Sequence, residues 1–311
     1  MVIKIKSEKI DNVRPPPEST VTVKKCGNVT ELRYQQSKTG GSIQKWDKDN
    51  YIDLKTGEFK EFRHSDLRVS HLENISRSLR NLRDLINTNV TNPANCQWVT
   101  LTYRVHMTDA KRVYDDFRKF NMRYQNYLKK MNLKAEYISA IEPQQTGSLH
   151  FHVIFIFPEK APFVENDKFA KIWGQGFVKI TSLKSVKNVG VYLSSYLSNL
   201  DAPNDIDIDK FKDNNKFKIV NAVDENGNKV KKAIIKGARL YFYPTGFHIE
   251  RHSRGIKKPE TYETTEAEAM KELDGAVLTY EKTIQLSDDG KIINQINYRH
   301  YNALMKEKEG D

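Results

Sequence analysis

Between Glu142 and His152 the chain reads Glu-Pro-Gln-Gln-Thr-Gly-Ser-Leu-His-Phe-His, and no other stretch restricts the fold as much. His150 to Phe157 is a run of β-branched and aromatic residues, the composition of a strand, and alternate side chains of a strand leave by opposite faces. His150 and His152 therefore point the same way. Lys134 to Glu142 has the same character, and Pro143 with Gly147 supplies the turn chemistry that folds one strand back onto the other. Such a hairpin brings Glu142 beside two imidazoles. A carboxylate ending an otherwise apolar strand is costly unless it is exposed or bound, so Glu142, His150 and His152 form a candidate metal site. Its mixed ligand set suits Mg²⁺ or Mn²⁺, as well as Zn²⁺.

The hairpin sits in a longer alternation of elements. Ser70-x-x-Glu73 is a capping-box pattern, and Leu72, Ile75, Leu79, Leu82 and Ile86 follow at helical spacing. Arg77, Arg80 and Arg83 run along another side of that helix, either as a solvated face or as a stripe that contacts phosphates. Gln97 to Tyr103 reads as a strand with Trp98, Thr100 and Thr102 on one face and Val99, Leu101 and Tyr103 on the other. Thr108 is the expected N-cap of the clearest helix, whose stripe Val113, Phe117, Phe120, Tyr124, Tyr127 and Met131 belongs in a core. The order strand, long helix, strand, strand predicts an α+β fold with a largely antiparallel central sheet, flanking helices, and accessory elements at both termini.

Composition divides the chain further. Residues 1–65 are polar, broken by Pro15 to Pro17 and Gly40-Gly41, with a short strand-like run at Thr20 to Lys24, and read as an accessory arm. Residues 66–205 hold the core, including a strand-like run at Phe177 to Ile180. Residues 206–311 form a strand-rich extension, with hairpins at Lys218 to Ile235 and Arg239 to Glu250, a helix near Thr265 to Leu273, and a last alternating pair around Asp288 to Gly290. Residues 201–216, rich in Asp, Asn and Pro, read as a loop.

If Val186 to Leu200 is helical, Val186, Val189, Leu193 and Leu197 give it a buried stripe, and Tyr192 and Tyr196 share a neighbouring face with hydroxyls that reach one spot. An i, i+4 aromatic pair is as a rule a packing feature; chemistry needs a reactive group beside it. The formal net charge of +11 makes an anionic polymer the natural partner, nucleic acid before membrane. The longest aliphatic and aromatic run, Val153 to Phe157, falls far short of the roughly 20 residues of a spanning helix. Met1 to Lys6 shows no leader-like apolar core, and two cysteines, Cys26 and Cys96, give no disulfide framework, so the expected setting is cytoplasmic.

Thr100-Leu-Thr102, His150-Phe-His152 and Val189-Gly-Val-Tyr192-x-x-x-Tyr196, in that order, resemble the three motifs of the HUH endonuclease superfamily, and in particular the two-tyrosine replication initiator (Rep) proteins of Gram-positive rolling-circle plasmids and related phage or integrated elements. Thr56 to Glu61, Leu82 to Asn87 and Ser253 to Pro259 also look like that family. The resemblance implies metal-dependent, site-specific nicking and joining of single-stranded DNA at an origin, with Glu142, His150 and His152 holding Mn²⁺ or Mg²⁺ and Tyr192 and Tyr196 as nucleophiles forming a 5′-phosphotyrosine. It further implies single-stranded or hairpin origin DNA as substrate. A host helicase and a DNA polymerase would be partners, since no G-x-x-x-x-G-K-[ST] phosphate loop occurs. One departure stands out: the family's tyrosine motif often has a lysine three residues after each tyrosine, and here those positions are Ser195 and Asn199. Lys184 and Lys187 are candidates to replace that charge, and Asn199 to donate a hydrogen bond. Arg239 to Tyr243 and the basic run with Arg251, Arg254, Lys257 and Lys258 are candidate DNA contacts, or else a sheet edge and a solvated loop. The competing readings are an HUH transposase or relaxase with the same chemistry, and a DNA-binding regulator that does not cut.

Overall fold

The computed structural model describes residues 6–37, 43–45, 50–53, 58–61, 68–184, 186–201, 217–223, 229–243, 247–288 and 291–305. Six strands come first: β1 (Lys6–Ile10), β2 (Thr20–Cys26), β3 (Val29–Gln35), β4 (Ile43–Lys45), β5 (Asn50–Asp53) and β6 (Phe59–Glu61). Helix α1 (Arg68–Asn89) and β7 (Cys96–Tyr103) lead to α2 (Ala110–Lys129), the paired strands β8 (Glu136–Pro143) and β9 (Leu149–Ile156), α3 (Asn166–Trp173), β10 (Gly176–Thr181) and α4 (Val189–Ser198). Then come β11 (Leu200–Asp201), β12 (Phe217–Val223), β13 (Lys229–Ile235), a 3₁₀ segment (Ala238–Phe242), β14 (Glu250–His252), β15 (Glu260–Thr265), α5 (Glu266–Glu272), β16 (Val277–Asp288) and β17 (Lys291–Asn302). The fold is α+β with a central antiparallel sheet. Among the described residues no helix is long and apolar enough to cross a membrane.

Two compact units result, Met1–Leu67 with Pro259–Asp311, and Arg68–Lys258. These boundaries differ from the divisions expected at residues 65 and 206, because strand partners lie far apart in sequence. β2 and β3 pair with β15 and β17, giving a sheet in the order β1-β16-β17-β3-β2-β15. The N-terminal run is therefore half of a sheet and not an arm. At the other boundary, β14 pairs with β8, Glu250 opposite Ala140, which draws residues beyond 206 into the second unit. In the first unit α5 covers Val21, Val23 and Leu32. Its N-terminus is the expected short helix with a reciprocal cap between Thr265 and Glu268. Arg299, fully buried, forks onto Glu266, with Nη2 to Oε2 at 2.7 Å, and this pairing offsets the burial of both charges.

The second unit is built on the sheet β10-β7-β9-β8-β14. Strand alternation sorts its side chains. Val99, Leu101, Phe151, Val153, Phe155 and Ile141 pack with α2 and α3, against Phe117, Phe120, Tyr124, Phe169 and Trp173. Trp98, Ile138, Ala140 and Ile154 lie on the other face with Leu82, Ile86, Leu193 and Leu197 of α1 and α4. Both faces are thus covered by helices, and His150, His152 and Glu142, by their parity, belong to the α1/α4 face.

Several local expectations change. The N-cap of α2 is Asp109, whose carboxylate accepts from the Arg112 N–H at 3.1 Å, and not Thr108. α2 ends at Lys129, so Met131 lies beyond it, exposed, and Leu128 takes the buried place. Ser70 falls inside α1, which already runs from Arg68. The hairpin expected from Arg239 to Glu250 does not form: 238–242 coil into a 3₁₀ segment and β14 pairs with β8 instead. The loop expected at 201–216 falls, after Asp201, outside the described residues.

Candidate active site

β8 and β9 pair with Glu142 opposite His150 and Ala140 opposite His152. On the other side of β9, β7 sets Thr100 opposite His152. The hydroxyl oxygens of Thr100 and Thr102 lie 3.3 Å from Nδ1 of His152 and of His150 respectively. His152 Nε2 is hydrogen-bonded to Glu142 Oε2. All three candidate ligands are buried, at 4% (Glu142), 7% (His150) and 4% (His152) exposure. A hydroxyl both donates and accepts, so each threonine can serve either tautomer of its imidazole. With Nδ1–H donating to threonine, Nε2 keeps a lone pair for a metal; with the hydroxyl donating to Nδ1, Nε2–H donates to Glu142.

Burial pushes the His150 pKa down to about 4, outweighing the attraction of Glu142, so the ring is neutral at pH 7. Since the unfolded ring titrates near 6.5, this contribution to stability is fully present above pH 6.5 and is lost as pH falls through about 4. In EDTA, urea unfolding should show wild type losing up to about 3 kcal/mol more than His150→Gln between pH 7 and pH 4; equal losses would exclude the buried neutral ring as their source.

The tyrosines come from α4, whose N-terminus is fixed twice. Asn188 caps it by accepting from the Val191 N–H at 3.0 Å, and Asn87 of α1 accepts from the Gly190 N–H at 2.9 Å. Gly190 is where the two helices touch: a Cβ there would sit 2.4 Å from the Arg83 carbonyl oxygen and 2.5 Å from Asn87 Oδ1. Gly190→Ala should therefore push α4 off α1 and cost about 1–3 kcal/mol by thermal or urea unfolding; an unchanged midpoint would show the contact to be soft. Val189, Leu193 and Leu197 form the buried stripe as expected, while Val186 packs on the same cluster from before the helix.

This seating turns Tyr192 and Tyr196 towards the sheet. Trp98 receives both edge-on, ring centroids 5.5 Å from Tyr192 and 5.8 Å from Tyr196, and Tyr196 lies 5.1 Å from the His152 ring. Both remain nearly half exposed, opening into a cleft of about 1080 Å³ lined also by Glu142, His150 and Asn199. Burial, then the Glu142 charge, raises the Tyr196 pKa, so its hydroxyl keeps its proton.

The donor chemistry fits a divalent cation, one carboxylate and two imidazoles whose far nitrogens are engaged. Among the described residues, however, no group of three or more His, Cys, Asp and Glu side chains is already arranged to hold an ion. Glu142 is occupied otherwise: Oε2 bonds His152 and Oε1 forms an ion pair with Arg239 Nη1. An ion would have to take over those contacts.

Of the other predicted residues, Asn199 reaches the cleft, but as an acceptor, with Oδ1 receiving the Gly237 N–H at 3.0 Å. Lys184 and Lys187 lie before α4 and are not among the lining residues. Arg77 and Arg80 are exposed on α1, whereas Arg83 pairs with Asp84 at 2.7 Å. Arg251 stacks 3.7 Å over Tyr114 at the β14 edge. Arg254 and Lys258 are exposed, and the Lys257 backbone exchanges hydrogen bonds with the Asn89 side chain at 2.9 and 2.8 Å. None of these four lines the cleft. Sequence reasoning missed Trp98, which shares the parity of Thr100 and Thr102, and the cleft lysines Lys218 and Lys236, for which there was no signal.

No curated protein and no solved structure matches the chain. Residues 96–201, about a third of the chain, match the family model for the replication-associated protein ORF2, and the matched segment runs from β7 through both histidines to the end of α4, which supports a replication-initiator family and role.

Proposed function

We propose that the cleft nicks and rejoins single-stranded DNA at a replication origin, with a tyrosine of α4 as nucleophile and Glu142, His150 and His152 as ligands of Mn²⁺ or Mg²⁺. The observation that carries this reading is the convergence of Tyr196 on His152 at 5.1 Å, from elements more than forty residues apart in sequence. A bound ion would supply positive charge to a non-bridging oxygen of the scissile phosphate. The tyrosine oxygen attacks phosphorus, the bond from phosphorus to the 3′-oxygen breaks, and that oxygen takes a proton to leave a 3′-hydroxyl for a host polymerase. The chain is held through a 5′-phosphotyrosyl bond, and attack by a 3′-hydroxyl on that bond rejoins the strand and restores the tyrosine. Trp98 fixes the ring edges, and Thr100 and Thr102 fix the imidazole planes, so that little reorganisation is left to the reaction. Tyr196 must lose its proton during attack, and neutralising Glu142 removes part of what holds that proton. Lys218 and Lys236 line the cleft at positions suited to phosphates of the strand, and unpairing of the duplex falls to a host helicase.

The test is to incubate the full chain with single-stranded DNA tiled from its own genetic element, in Mn²⁺ or in EDTA. An SDS-resistant adduct is expected only with the metal, mapping to Tyr192 or Tyr196. One observation favours a second reading, a DNA-binding regulator that does not cut: Glu142 is already paired with Arg239. That reading predicts tight binding in EDTA and no adduct on any tile.

A further inference from the structure

Arg239 lies outside the segment that the family model matches, yet it is the group that meets both halves of the proposed site. Its side chain is only 13% exposed and is held on several sides. Nη1 pairs with Glu142 and donates to the Pro143 carbonyl at 3.3 Å, Nε donates to the Asn199 carbonyl at 3.0 Å, and the guanidinium carbon stands 6.0 Å from the Tyr196 ring centroid. The segment bearing it is tied to the end of α4: Gly237, in the left-handed region at φ +73°, turns the chain and donates its N–H to Asn199 Oδ1. Asn199, the C-cap of the tyrosine helix, thus anchors Arg239 with its backbone and the preceding turn with its side chain. A rigid fork of charge is the result, set between the carboxylate ligand and the nucleophile.

Glu142 is buried and needs a counter-charge in every state of the cleft. A divalent ion at the same carboxylate would repel a guanidinium only one contact away. Both cations cannot keep the same oxygen. We infer that Arg239 and a divalent cation compete for Glu142, and that the guanidinium released by the ion binds the scissile phosphate beside Tyr196. The inference rests on the nicking reading above. It also assigns a source for the positive charge that Ser195 and Asn199 do not provide next to the tyrosines.

The test is Mn²⁺ affinity, read by electron paramagnetic resonance of the free ion, in the full chain and in Arg239→Gln and Arg239→Lys. Arg239→Gln should bind Mn²⁺ about tenfold tighter or more, because a competing charge is gone. At saturating Mn²⁺ its adduct should form about a hundredfold more slowly, because the phosphate has lost a charged donor. Arg239→Lys should keep Mn²⁺ affinity within about threefold of wild type, since the charge remains. Opposite signs for metal and cleavage are the signature; a residue that only shapes the cleft would weaken both on removal. Unchanged or weaker Mn²⁺ binding by Arg239→Gln overturns the inference. If that variant is unfolded in EDTA, refolding on addition of Mn²⁺ supports the competition, and failure to refold overturns it. A wild type that forms its adduct while Arg239→Gln shows unaltered metal affinity sinks this inference alone. A wild type that neither binds Mn²⁺ nor forms an adduct sinks the nicking reading as well.

Discussion

A chain carrying Tyr192→Phe and Tyr196→Phe together should form no SDS-resistant adduct with origin DNA, a loss of at least about a thousandfold, because no hydroxyl of α4 is left to attack. Phenylalanine keeps both edge-on contacts with Trp98, and the hydroxyls removed come from residues nearly half exposed, so stability should change by no more than about 0.5 kcal/mol. DNA binding should persist, since the cleft keeps its lysines and its arginine. Geometry also separates the single variants. Tyr196 is the one beside His152 and within reach of Arg239, so Tyr196→Phe should remove most of the first cut and Tyr192→Phe less. Equal rates in the two single variants would argue for interchangeable nucleophiles, and an adduct surviving in the double variant would remove the tyrosines from the chemistry altogether.

What could be read from the sequence was local and periodic. Two-residue alternation placed His150 and His152 on one face, and one turn between two such strands placed Glu142 opposite them; the pairing of Glu142 with His150 is that expectation realised. Helical spacing likewise put Val189, Leu193 and Leu197 inward and left the tyrosines to one side. Choice of partner at long range left no such trace. That β3 pairs with β17, across more than two hundred and fifty residues, depends on registers that no window of sequence contains, so the N-terminal strands read as an arm. Arg239 escaped for a related reason. The run after it alternates like a strand, and only the turn at Gly237, fixed by Asn199 from the end of α4, coils it into a 3₁₀ segment aimed at Glu142.

Replacing both imidazoles, His150→Ala with His152→Ala, should abolish Mn²⁺ binding in the micromolar range and lower the rate of adduct formation at least about a thousandfold, leaving affinity for single-stranded DNA within a few-fold of wild type. Two of three ligands disappear, and the third, Glu142, retains Arg239 as its counter-ion, so a metal has neither the coordination nor the unpaired charge to hold it. The substitutions also strand the hydroxyls of Thr100 and Thr102, each at a cost of about 1–3 kcal/mol if water does not reach it. Far-UV circular dichroism and an unfolding curve must therefore accompany the kinetics. The milder pair Thr100→Val with Thr102→Val provides the internal control: it keeps both ligands but frees their planes, and should weaken Mn²⁺ binding by about 10–100-fold without abolishing it. If metal binding survives the loss of both imidazoles, the ion site lies elsewhere in the chain. If it vanishes but the adduct still forms in EDTA, the tyrosines work without a metal, and the positive charge at the phosphate would have to come from Arg239, Lys218 and Lys236.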